Sequence, residues 1–129
     1  MIRPLAICAL FFATACVGDE SVAKYGAAGK VWRLIEIDGT PFTARTAMEF
    51  DKAGWIKGQA PCNRFSVRQT LPYPWFNVGP TMATKMACPD LQSENEFFMA
   101  LSQMSLSEVT KTTLLLSNDA GRTMTFKAE

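Results

Sequence analysis

The chain has 129 residues, 48% of them hydrophobic and 19% charged, which suits one packed domain and excludes a disordered chain. Its 13 basic and 12 acidic residues nearly cancel and form no basic stripe, so no nucleic-acid partner is expected. There is no histidine, which excludes Ser-His-Asp and Cys-His nucleophile systems and histidine-bearing zinc sites.

Met1-Ile2-Arg3 carries one positive charge, Pro4 to Ala13 is apolar, and Ala13-Thr14-Ala15 ends in small residues before Cys16. This order reads as a secretory signal peptide over residues 1–15. It falls short of the roughly 20 apolar residues that a spanning helix needs. Cys16 after small residues resembles a bacterial lipobox, which makes Cys16 the lipidated first residue and the point of attachment to a membrane. Ala13 stands where that pattern usually has leucine, so ordinary cleavage after Ala15 is the alternative. Lipidation is favoured because a cysteine at the cut site would otherwise leave a free thiol in an oxidising compartment. Residues 16–29 mix small and charged side chains with no apolar period and read as a lipid-anchored flexible tether, with the domain spanning 30–129.

Val31 to Ile37 is β-branched and aromatic, and Asp38-Gly39 closes it with a turn signal. Ala47 to Phe50 and Gly54 to Gly58 form a hairpin, and Asn63 to Arg68 alternates as a further strand. Leu71 to Pro80, with Pro72, Pro74, Trp75 and Phe76, predicts a short edge strand or an ordered loop. One helix follows, with Leu91, Phe98 and Leu101 on one face, Phe97 and Met104 adjoining, and its end within Ser102 to Ser107. Asp90, or Ser93 with Glu96, caps its start. Thr112 to Leu116 and Arg122 to Phe126 then make a closing hairpin. The fold class expected is α+β: a small, curved, mostly antiparallel sheet of about six to eight strands packed on one α-helix. Trp32, Leu34, Phe50, Phe65, Phe98, Leu101, Leu115 and Phe126 are the expected core.

Several of these stretches together resemble a known family. Trp32 and Leu34, the Gly58-to-Phe65 stretch with Cys62-Asn63-Arg64, Ala83-Thr84-Lys85-Met86-Ala87-Cys88-Pro89, Glu96-Phe97-Phe98 and Phe126 are similar to the META domain, the family of the bacterial heat-shock protein HslJ. The resemblance covers roughly residues 30–127, and Pro61 stands where the family often has glycine. It implies an exported lipoprotein of the bacterial envelope, some members being linked to heat shock or antibiotic resistance, and brings no catalytic residues and no cofactor. The expected function is therefore a non-catalytic envelope lipoprotein that supports stress tolerance by binding envelope components. It is expected to be a monomer, to face the periplasm, by sorting habit at the outer membrane, and to have an envelope protein as partner.

With Cys16 acylated, Cys62 and Cys88 remain as an even pair, as expected of a disulfide in an exported protein. A redox-active pair tuned by Arg64 and Lys85, or two unpaired thiols, are the alternatives. Two thiolates without histidine make a poor zinc site, and no metal is expected. Asn63, Arg64 and Lys85 read either as a polar patch for a partner or as a local turn with two solvated cations. Trp75 and Phe76 read either as an exposed recognition patch or as a lid on the core. Glu94 and Glu96 point in different directions on a helix and read as partners of its dipole rather than as an acid/base pair. A third functional reading places an apolar small molecule in the sheet's concavity.

Overall fold

The computed structural model describes residues 20–129, so the expected leader and Cys16 lie outside the described residues. The strands are β1 (Val31–Ile37), β2 (Thr40–Pro41), β3 (Ala47–Phe50), β4 (Trp55–Gln59), β5 (Arg64–Arg68), β6 (Met82–Ala83), β7 (Leu106–Val109), β8 (Thr113–Ser117) and β9 (Thr123–Ala128), with helix α1 at Leu91–Gln103. They form one nine-stranded open sheet in the order β6-β5-β4-β3-β1-β9-β8-β7, with β2 also on β1. Every ladder is antiparallel. The class is α+β, as the sequence predicts. The strand count exceeds the expectation because two-residue strands and Leu106–Val109 add pairings too short or too polar to read as strands.

Alternation along the strands builds the core. Trp32, Leu34, Met48, Ile56, Phe65, Val67, Leu114, Leu116, Met124 and Phe126 face inward and are buried. A bulge between Leu34 and Glu36 against β9 shifts the phase of β1, which returns Ile37 to the core three residues after Leu34 rather than two. α1 contributes Phe97, Ala100 and Leu101, with Met104 just beyond its end.

Three expectations are corrected. Leu115 is half-buried on the opposite face, because period-two alternation sends Leu114 and Leu116 inward. Leu114→Ala should lower stability by about 3 kcal/mol, and Leu115→Ala by no more than about 1 kcal/mol, as read from urea unfolding midpoints. On α1 the buried stripe is Glu94, Phe97 and Leu101; Phe98 is half-buried at its edge, stacked edge-on to Phe65, and Leu91 is exposed. The helix stops at Gln103, within the expected range, where Met104 turns extended (ψ 140°) and Leu106 already pairs with Ser117.

The third concerns the described part of the expected tether, residues 20–29. The chain is packed from Ser21 onward: Val22 and Ala27, just before and at the end of a wide helical turn at Ala23–Ala27, are fully buried. Small side chains here serve close packing rather than flexibility. Gly26 (φ 124°) permits a conformation that side-chain-bearing residues avoid, and Trp32 Nε1 donates to Ala27 O at 2.8 Å.

The strands give the domain two ends. α1 crosses the first, with Glu94 near the β4–β5 turn and Gln103 O accepting from Asn118 Nδ2 in the β8–β9 turn. At the same end Asp38, at φ 53°, closes β1, accepting from Arg122 Nη2 at 2.9 Å and from the Thr123 N–H at 3.0 Å. The Arg122 guanidinium, and secondly the Thr123 amide, hold the Asp38 carboxyl below its ordinary value of 3.8. A lowered folded value means the contribution is complete above the unfolded value and fades as pH falls through the folded one. Asp38→Asn should therefore lower the melting temperature slightly at pH 7, less in high salt, and the difference should vanish in strong acid. The second end holds the β3–β4 and β7–β8 turns and the Ala23–Ala27 turn.

Candidate functional site

The two cysteine-bearing stretches meet at the first end. Cys62, in the β4–β5 turn, is disulfide-bonded to Cys88, in the segment before α1, with Cα atoms 5.7 Å apart. Beside the disulfide, Asn63 and Glu94 are both 3% exposed. The Cys62 and Asn63 N–H groups donate to Glu94 Oε1 at 3.0 and 2.7 Å, and Asn63 Nδ2 donates to Glu94 Oε2 at 2.7 Å. Asn63 Nδ2 also donates to Met86 O at 3.0 Å, while Asn63 Oδ1 accepts from Thr84 Oγ1 at 2.8 Å and from the Met86 N–H at 2.7 Å. Both donors and both acceptor positions of the amide are thereby used. The Thr84 N–H donates to Arg64 O at 3.1 Å, continuing the contact begun by the β5–β6 pairing.

This arrangement ties three chain segments through one amide. Without it, the 84–88 loop would be held by the short β6 ladder, the Thr84 N–H bond to Arg64 O and the disulfide. Burying an Asn and a Glu among apolar neighbours is tolerated only when their polar atoms are paired. Among the described residues, every buried side-chain nitrogen and oxygen has a partner.

Asn63 is therefore neither a surface contact nor a residue satisfying its own turn; its partners lie 21 to 31 positions away. Glu94, read from sequence as a dipole partner, is the anchor of the joint. The signal available was its place in the Glu94-Phe97-Leu101 stripe, where helical periodicity calls for an apolar side chain. Arg64 and Lys85 are exposed, and among the described residues their side chains make no hydrogen bond or ion pair. Lys85 lines a shallow hollow of ≈ 280 Å³ over the joint, together with Thr84, Met86, Leu91, Asn95 and Phe98.

Trp75 and Phe76 part company. Phe76 is 1% exposed and belongs to the core, its N–H donating to Ser105 O, whereas Trp75 is 57% exposed. Buried Gln69 fixes their loop, accepting from the Leu71 and Asn77 N–H groups and donating to Leu71 O. The concave face of the sheet is filled by Trp32, Phe65, Phe97 and their neighbours. On the other face, a depression of ≈ 440 Å³ is lined by Glu49, Lys57, Gln59 and Arg64 among others.

The sequence model of the META domain matches residues 26–129. The chain belongs to the META domain family. Its fold is similar to that of a protein from Burkholderia xenovorans solved by NMR, with a TM-score of 0.68 and 22% identity over 98% of this chain and 99% of that one. It is also similar to a DUF4847 family protein from Bacteroides vulgatus, with a TM-score of 0.67 and 15% identity over 84% of this chain and 96% of that one. A further NMR structure aligns with a TM-score of 0.62 and 24% identity over 81% of this chain and 92% of that one. No curated protein matches the chain. In this META domain, the Cys-Asn-Arg and Met-Ala-Cys-Pro stretches that mark the family in the sequence are the two halves of one joint.

Proposed function

We propose that this META domain is a non-catalytic lipoprotein of the bacterial cell envelope. It is anchored by acyl chains at Cys16, faces the periplasm at the outer membrane, and supports tolerance of heat or antibiotics by binding envelope components. The observation that carries this reading is the joint: Asn63, Thr84 and the two cysteines of the family's motifs are engaged with one another and with Glu94, which leaves only the cations Arg64 and Lys85 open to a partner. What the joint presents outward is Lys85 and Met86, with Arg64 alongside, a contact surface held in place by the disulfide. The leader pattern and the disulfide both suit an oxidising compartment. The Cys62–Cys88 pair bridges two distant segments instead of forming a Cys-x-x-Cys unit, which supports a structural role over redox chemistry.

The test has two parts. Intact mass of the protein purified from the envelope should show acyl chains on Cys16 and two thiols that appear only on reduction. In cells lacking the chain, the wild type should restore tolerance, while Arg64→Glu combined with Lys85→Glu should fold with an unchanged melting temperature and fail to restore it. Full restoration by that double variant would remove this surface from the function, and thiols that alkylate before reduction would return the redox reading.

A further inference from the structure

One side of the domain, from the second end up the β7 edge, carries exposed aromatic and apolar side chains where the chain enters the fold. Tyr25 is 55% exposed and stacks on Tyr73 with ring centroids 4.7 Å apart. Leu71 and Trp75, 41% and 57% exposed, lie on the same Gln69-braced loop as Tyr73. The Tyr73 hydroxyl accepts from the Val109 N–H at 3.3 Å, and Trp75 forms a bridge with Leu106, so this loop runs up the β7 edge from the second end. Lys24 and Lys52 line a depression beside the Ala23–Ala27 turn, with Glu20 and Asp51 as the acidic neighbours on the same elements.

The position of the chain's entry decides what this corner faces. Glu20 O accepts from the Tyr73 N–H, so the chain is fastened at the aromatic loop itself. Only three residues lie between Cys16 and Glu20, a span of four chain steps. A fully extended chain of that length spans at most about 14 Å. If Cys16 carries the acyl chains, the Tyr73 backbone cannot stand further than that from the lipid headgroups. A tether this short keeps the corner at a high local concentration of lipid surface. Tyr and Trp, apolar in body and polar at the tip, are the side chains suited to that interface, and lysines beside them suit anionic headgroups.

We propose that Tyr25, Leu71 and Trp75, with Lys24 and Lys52, form a docking surface for the bilayer that holds the anchor. The domain then lies against the membrane on this β7 side, with the disulfide joint, by the β5–β6 edge of the sheet, turned toward the periplasm. The proposal rests on acylation at Cys16.

The full lipoprotein, reconstituted into phosphatidylethanolamine–phosphatidylglycerol vesicles, would be probed by quenching of tryptophan emission with lipids brominated near the glycerol. Trp32 is fully buried and Trp55 half-buried, so quenching should come from Trp75. Trp75→Phe should remove most of it, and adding Met86→Trp at the joint should not restore it. Quenching that survives Trp75→Phe, or that Met86→Trp restores in full, overturns the docking. Intact mass on the same sample separates the two readings: bare Cys16 overturns the anchoring on which the proposal rests, whereas acylated Cys16 with unquenched Trp75 overturns the docking alone.

Discussion

Asn63→Ala should destabilise the domain by about 4 kcal/mol, since it removes three neutral hydrogen bonds and one to a carboxylate and strands their buried partners. For a domain of this size, whose total stability is on the order of 5 to 15 kcal/mol, that is a large fraction. The loss should appear as a lower urea midpoint with an unchanged slope. Glu94→Ala should be comparably severe, because the Cys62 and Asn63 N–H groups would lose their common acceptor. The pair of substitutions together should cost much less than the sum, since each breaks the bond between them. Asn63→Asp would replace the two donors of the amide with acceptors facing Glu94 Oε2 and Met86 O, so it should be no milder than alanine.

Cys62→Ser with Cys88→Ser is the second large effect. Closing a loop across a separation of 26 residues restricts the unfolded chain by about 3.5 kcal/mol on the chain-entropy model. The melting temperature should fall by about 15 °C for a domain of this length. The disulfide acts on the unfolded chain and the Asn63 amide on the folded joint. Removing both should therefore bring the domain to the edge of folding, seen as loss of a cooperative thermal transition.

The features legible in the sequence are those carried by local pattern. β1, the β3–β4 hairpin, β5 and the closing β8–β9 hairpin follow alternation and turn chemistry, and α1 follows helical spacing. The pairing of Cys62 with Cys88 followed from cysteine arithmetic. What the sequence concealed depends on tertiary partners. Leu114, Leu115 and Leu116 are chemically alike, so only the pairing of β8 with β9 decides which face each takes. Val22 and Ala27 sit among small residues, and their burial depends on Trp32 reaching back to Ala27 O. Asn63 reads as a turn residue because its partners at Thr84, Met86 and Glu94 come from later segments. Phe76 and Trp75 are adjacent aromatics in a proline-rich loop, and the bond from the Phe76 N–H to Ser105 O accompanies the inward placement of one and not the other.

Native-state hydrogen exchange of the unaltered protein tests the joint most directly, because no substitution intervenes. The amides of Cys62, Asn63 and Met86 lie in segments without helix or strand, yet donate to Glu94 or Asn63 side chains. They should exchange only through opening close to global unfolding, as slowly as the amides of β1 and β9. Exchange at the rate of ordinary exposed loops, while the strands stay protected, would contradict the account and leave the two motifs without the structural role assigned to them.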